Sequence, residues 1–326
     1  MISLTGLARG SLAVAVGLMA VAAAAQSPAA FPNKTVRIVV PNTPGGPVDA
    51  IARVTAAFLE PRFKQSFIVE NRPGANGQIA TEQVVRSAGD PHTLIVDSPK
   101  FLMNEGALPT WPFRLDRDLT PITVIAGTGY AIVAANKTPY NTLKELVAYS
   151  RANPGKVNEA QAGTFNLDMA ILRRDLGMGA VEPIIYPGAA PIITALVAGD
   201  VDTSGLVVQA ATAWEKAKKV KILAQTGLTR HPQLPHIPTV SESDVGLRNH
   251  ETAYWVALIG PANIPAEVVS ALYNAMAELP KSAEAAAKVT ALGQVFFMLP
   301  PAESRTRMRT ELKRYQDAAA SGMRVQ

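Results

Sequence analysis

The segment Val36 to Leu59 (VRIVVPNTPGGPVDAIARVTAAFL) constrains the fold more than any other part of the chain. Its pattern predicts a buried strand, a Gly/Pro-rich loop, and an amphipathic helix that carries Asp49 in its first turn. In open α/β proteins such a loop lies past the carboxyl end of a strand. The first N–H groups of the following helix lack intrahelical partners there and can point at a ligand. Gly45 and Gly46 let the backbone approach with no side chain in the way. The loop has no Walker lysine and no G-x-G-x-x-G, so it is not a nucleotide fingerprint. It is a general oxyanion seat that fits a carboxylate as well as a phosphate.

The start of the chain sets the expected compartment. Residues 1–25 read as a secretory signal peptide. Arg9 supplies a basic start, Ser11 to Ala22 a short apolar run, and Ala23-Ala24-Ala25 before Gln26 a small-residue cleavage pattern. The run is shorter than the about 20 apolar residues that span a bilayer, and no later segment is long and apolar enough to be a transmembrane helix. A soluble, periplasmic mature protein is expected, acting as a monomer. Its length of about 300 residues suffices for two ordinary domains. The chain has no cysteine, which excludes disulfides, thiolate catalysis, Cys-bound zinc and iron–sulfur clusters. The formal net charge is +5, with basic residues scattered except at Lys216 to Lys221 (KAKKVK). That run reads as the solvated end of a helix. No aromatic platform accompanies it, so no nucleic-acid partner is expected. A mild positive field attracts small anions.

Strand and helix patterns alternate along the chain. Val36 to Val40, Phe67 to Glu70, Thr93 to Asp97, Ala131 to Ala134 and Ile222 to Ala224 are short apolar runs that read as strands. Ile79 to Ser87, Thr142 to Arg151, Pro265 to Leu279 and Ala302 to Ala320 have helical spacing, with Thr142 and Glu145 forming a capping-box pattern. Val157 to Leu176 and Ile184 to Val197 each repeat the strand, polar or Gly-rich loop, helix sequence. The alternation predicts parallel sheets with helical crossovers. Two proline-rich pieces, Met103 to Pro121 and Arg230 to Asn249, read as long irregular loops.

An ordered series of short elements then becomes specific. It runs through Phe31-Pro32, Val36 to Pro41, Pro44-Gly45-Gly46 with Asp49 and Ala52-Arg53, and Val69-Glu70-Asn71-Arg72-Pro73-Gly74-Ala75. It continues through Ala152 to Lys156, Tyr186-Pro187-Gly188, Gly199 to Asp202, Pro235 to Val240 and Gly260-Pro261-Ala262. In this order the chain resembles the periplasmic substrate-binding proteins of tripartite tricarboxylate transporters, the Bug family, over essentially the whole mature chain. The resemblance implies a type II periplasmic binding-protein fold, with two α/β domains and a central ligand cleft. Domain 1 would be residues 31–126 plus 251–326, and domain 2 residues 127–250. It also implies a small carboxylate ligand, delivery to membrane permease subunits, and no cofactor or metal.

Carried over residue by residue, the resemblance makes Thr43, Pro44, Gly45 and Gly46 the domain 1 loop, with Asp49 as its cap and brace. Gly163, Thr164 and Asn166 would supply opposing donors, and Gly188 and Ala189 further backbone donors. Ser98 would sit at another strand end, and Lys100 could meet a second carboxylate. The chain departs from the family pattern at Asp168, where a histidine is frequent, and at His92, where a tyrosine is usual. It also has Leu206 near a position that is often aspartate. Leu206 points to a ligand with an apolar or aromatic body. Two other functions compete: an extracytoplasmic sensor with the same binding chemistry, and an exported enzyme. The sequence offers no G-x-S-x-G elbow and no metal spacing among His92, His231, His236 and His250, which disfavours the enzyme.

Overall fold

The computed structural model describes residues 31–161 and 165–322, apart from the side chains of residues 165 and 166. The expected signal peptide lies outside the described residues. The first apolar run is β1 (Val36–Val40), and the Gly/Pro loop leads into α1 (Pro47–Phe63). Then come β2 (Phe67–Asn71), α2 (Gln78–Val85), β3 (Thr93–Asp97), α3 (Lys100–Ala107) and the single turn α4 (Leu115–Asp118). A long strand, β4 (Leu119–Ala135), precedes α5 (Leu143–Ala152), β5 (Val157–Gln161), α6 (Phe165–Asp175), β6 (Val181–Ile185) and α7 (Ala189–Ala198). The chain continues through β7 (Thr203–Val207), α8 (Val208–Lys216), β8 (Val220–Gln225), β9 (Ala253–Pro261) and α9 (Ala266–Met276). It closes with α10 (Ala283–Ala291), β10 (Val295–Phe296) and α11 (Pro301–Ala320).

The described strands share one sheet, ordered β2-β1-β3-β9-β4-β7-β5-β6, with β8 and β10 also pairing to β4. β1 is parallel to β2 and β3, and β5 is parallel to β6 and β7. The centre is antiparallel: β9 against β3 and β4, and β4 against β7, β8 and β10. This corrects the parallel sheet expected from the alternation. β9 is entered from the irregular stretch after β8 rather than from a crossover helix, so it can run either way.

β4 joins two halves of the sheet. Its stretch Leu119–Gly129 pairs with β9, and Tyr130–Ala135 pairs with β7 and β8. Strand alternation places helices on both faces of each half. Val36, Ile38 and Val40 pack with α1, α9 and α10, while Val39, Ile95 and Trp255 pack with α2, α3 and α11. In the second half, Ala131 and Val133 face α7 and α8, and Ile132 and Ala134 face α5 and α6.

Local chemistry explains the element ends. Thr142 caps α5 by accepting from the Glu145 N–H at 3.2 Å, and the Glu145 carboxylate accepts from the Asn141 N–H at 2.6 Å. α8 ends at Lys216, so the KAKKVK run starts on the last residue of a helix, and Val220 and Lys221 already belong to β8. The piece Met103 to Pro121 is not irregular throughout. α3 extends to Ala107 inside it, with Phe101, Leu102 and Met103 buried. Gly106 hid this helix in the sequence. A Cβ there would lie 2.7 Å from Tyr315 Cβ, so glycine permits close packing of α3 on α11.

Ser304 fastens α11 to β4. It is fully buried, accepts from the Val124 N–H at 2.9 Å and donates to Leu299 O at 3.0 Å. Ser304→Ala leaves a buried N–H without its acceptor, which costs about 1–3 kcal/mol. Urea denaturation at neutral pH should show that loss with the fold otherwise retained.

Candidate functional site

A cleft of about 580 Å³ opens where the two sheet halves meet. Pro47 reaches it from α1. Thr128 and Tyr130 come from β4 and Tyr254 from β9. Ala189 and Ile192 come from α7, Gly205, Leu206 and Val207 from β7, and Gln209 from α8. Ala291, Leu292 and Gln294 close it from the α10–β10 turn. None of these lining residues carries a charge, and aliphatic carbon makes up much of the wall.

Three helices begin at this wall, and none has a side-chain cap. The N-cap residues are Gly46 for α1, Gly188 for α7 and Val207 for α8. Each helix start leaves N–H groups with no intrahelical acceptor and carries roughly half a positive charge. Pro47 has no N–H, so the α1 donors are Val48 and Asp49. In α7 they are Ala189 and Ala190, ahead of Pro191. An anion in the cleft would meet backbone dipoles from both halves of the sheet.

The α1 loop is held open by one buried carboxylate. Asp49 is 3% exposed and accepts from the Gly45 N–H at 2.9 Å, Arg53 Nε at 2.9 Å and Asn71 Nδ2 at 2.9 Å. Asn71 Nδ2 also donates to Asn42 O at 3.0 Å. The two most telling sequence elements thus meet: Asn71 of the Glu-Asn-Arg-Pro-Gly-Ala stretch ties to Asp49, four residues past Gly45. Burial alone would raise the Asp49 pKa, but the bonds from Arg53, Gly45 and Asn71 outweigh it and hold the carboxyl at about 2. With its oxygens turned inward, Asp49 leaves the loop backbone to face the cleft. Gly45 needs its left-handed φ of +93°, whereas a Cβ at Gly46 would meet nothing within 4 Å.

Residues 51–300 match the family described as the tripartite tricarboxylate transporter family receptor. The chain belongs to that family. A Pseudomonas sp. (strain P51) relative, the UPF0065 protein in the tcbD–tcbE intergenic region, is 33% identical over 272 residues, covering 82% of this chain and 79% of the relative. The structure of R. palustris Rpa4515 with adipate aligns at 28% identity and a TM-score of 0.68, over 89% of this chain and 97% of that one. The periplasmic binding protein BugD aligns at 26% identity and a TM-score of 0.66, over 90% and 99%. The resemblance read from the ordered elements is therefore correct. The receptor has the two-domain α/β fold of periplasmic binding proteins, and the family is one of solute-binding receptors. Among the described residues no helix is long and apolar enough to cross a membrane.

The residues singled out in the sequence distribute unevenly in this receptor. Ala189 and Leu206 line the cleft, Leu206 being 4% exposed, and Gly188 immediately precedes the α7 start. Thr43, Pro44, Gly45 and Gly46 form the loop that ends at Pro47. Gly163 and Thr164 lie outside the described residues, as does the side chain of Asn166. Ser98 is buried and its N–H donates to Asp97 Oδ1 at 2.7 Å, and Lys100 starts α3. Burial pushes the Asp97 carboxyl up to about 7, although the Ser98 N–H and Lys100 oppose it. Asp168 is buried against α11. His92 bonds Asp90 at 2.7 Å, and His236 bonds Glu215 at 2.7 Å, both as local structure.

Sequence reasoning missed Thr128, Tyr130, Gln209, Tyr254 and Gln294. Each sits in a strand, helix or turn without a local motif, and only the tertiary fold brings β4, β9, α8 and the α10–β10 turn together. Burial raises the pKa of both Tyr130 and Tyr254, so both phenols stay protonated at neutral pH and can donate.

Asp49→Ala should lose roughly 1–3 kcal/mol of stability at neutral pH, since three donors lose a charged acceptor. The native carboxyl lies below its unfolded value, so its contribution is present above about pH 4. It is lost as pH falls toward about 2. Urea unfolding across pH should show the gap between wild type and variant shrinking in that acid range.

Proposed function

We propose that this receptor is exported through its N-terminal segment and captures a small organic carboxylate with an apolar or aromatic body. It would then hand the ligand to the membrane subunits of a tripartite tricarboxylate-type transporter. The observation that carries the reading is the convergence of three uncapped helix starts on an uncharged, largely aliphatic cleft. A carboxylate there gains charge-assisted bonds from backbone N–H groups, worth about 1.5–3 kcal/mol each. Thr43 to Gly46 and Gly188-Ala189 would frame it, with Gly163, Thr164 and Asn166 adding donors from the loop that opens α6. Ile192, Leu206, Val207 and Leu292 would cover the ligand's body. The adipate held by the R. palustris neighbour, two carboxylates on a methylene chain, has this chemistry.

The two lobes would be residues 31–126 plus 251–326 and residues 127–250. β4 supports that division, since its pairing passes from β9 to β7 and β8 at Gly129 and Tyr130. Closure of the lobes would desolvate the carboxylate between the two sets of donors. Ligand favours the closed state only through its greater affinity for it.

A thermal-shift screen of the chain from Gln26 against mono-, di- and tricarboxylates, aromatic acids and amino acids tests the ligand class. Calorimetry then measures the hits. Ligands that bind only the folded state raise the midpoint by mass action. Acids with apolar bodies should raise it and amino acids should not; equal shifts for both would contradict the apolar-body reading. Gly46→Val should keep its circular dichroism spectrum and abolish binding, because the added side chain stands over the α1 donors. Leu206→Asp should weaken an apolar acid by tenfold or more, about 1.4 kcal/mol, by setting an unpaired carboxylate beside an anion.

A further inference from the structure

α6 follows β5 of the second lobe and packs there through Met169 and Leu172, yet its other face packs into the first. Leu167 and Ile171 are buried in the cluster built by Phe101, Trp255, Met308 and Tyr315. Asp168, between them, is 7% exposed and meets the Tyr315 hydroxyl at 3.1 Å. The same hydroxyl meets Glu311 Oε1 at 3.1 Å, and Glu311 Oε2 accepts from Trp255 Nε1 at 2.6 Å. A phenol has one hydrogen, so it can donate to only one of two carboxylates. A proton held by the pair lets the other carboxyl donate to the phenol oxygen. We propose that Asp168 is a positioning residue that docks α6 on α11 while the Asp168–Glu311 pair holds one proton, so that closure of the receptor takes up a proton. The proposal rests on the lobe closure proposed above.

Burial and the mutual repulsion of the two carboxyls favour that shared proton, and the neighbouring arginines oppose it. From α11, Arg314 donates to Glu251 O at 3.0 Å and to Thr252 Oγ1 at 3.2 Å, and Arg307 pairs with the Glu251 carboxylate at 2.9 Å. Both cations bond to other groups, yet both still pull Glu311 down, and Arg314 pulls Asp168 down. From β4, Tyr130 faces both carboxyls, and like Tyr315 it is held protonated by burial. Burial and Arg314 hold His250 down at about 4, with Asp175 of α6 acting against them, so His250 stays neutral above that pH. Burial, then Glu311, push Asp168 up to about 7, against Arg314 and the Tyr315 bond, and burial raises Glu311 as well.

The sign follows from these directions. Separated lobes return Asp168 to water and to an ordinary carboxylate pKa near about 4. Closing therefore binds a proton between about pH 4 and about pH 7. The closed-to-open ratio should fall about tenfold per pH unit across that window, then level off.

The absence of cysteine makes distance measurement direct, because two introduced cysteines are the only labelling sites. Spin labels at Glu60→Cys on α1 and Lys216→Cys on α8, both exposed, report the separation of the lobes by pulsed electron resonance. No ligand is added, so an error in the ligand class does not alter the outcome. The short-distance population should fall as the pH is raised from about 5 to about 8. Asp168→Asn, whose amide both donates and accepts as a protonated carboxyl does, should keep that population across the range. Glu311→Gln should do the same, and it serves if the first variant fails to fold. A wild-type distribution that ignores pH overturns the proposal, as does an unchanged pH response in a folded neutral variant.

Discussion

Backbone N–H groups at a helix start must bond to something, and at α1, α7 and α8 no side chain caps them. The architecture around the cleft follows from that constraint. Asp49 has the charge and position of a capping residue, but it turns back to Gly45, Arg53 and Asn71 and leaves the helix start facing the cleft. Glycine at the N-cap of α1 and α7 keeps side chains away from the donors. The cleft can therefore attract an anion with no charged side chain among the described residues of its wall. A dipolar site of this kind also spares the receptor a buried cation that would be costly when no ligand is bound.

The strands set how the two halves relate. β4 pairs with β9 along one stretch and with β7 and β8 along the next, so the two halves of the sheet share this one strand. α11 is tied to β4 through Ser304 and packs on α3 across Gly106. α6 is the exception to this division, since it follows a strand of one half and buries Leu167 and Ile171 in the other. Polar groups join that apolar contact at Asp168, Tyr315 and Glu311.

The first half was largely legible in the sequence. VRIVV, FIVE and TLIVD are apolar runs that became β1, β2 and β3; β1 and β3 are buried, while β2 is the edge strand and leaves Ile68 exposed. Thr142 with Glu145 marked the start of α5 through a cap that works over four residues. The centre of the sheet was not legible. Direction in a strand pair depends on where the chain enters, and β9 is entered from an irregular stretch that carries no period. α3 was hidden by Gly106, which reads as a breaker locally and serves as a contact point with α11. At the site, Gly45, Gly46, Asp49 and Ala189 announced themselves through loop chemistry. Tyr130, Tyr254 and Gln294 did not, because their role comes from strands and turns distant in sequence.

The most direct test of the central claim is an amide NMR titration of the chain from Gln26 with adipate, following backbone N–H groups at the three helix starts. The account predicts saturable downfield shifts at Val48, Ala190 and Gln209 together, with one common binding constant. Shifts confined to one helix start, or centred instead on the charged groove beside Arg307 and Arg314, would contradict it.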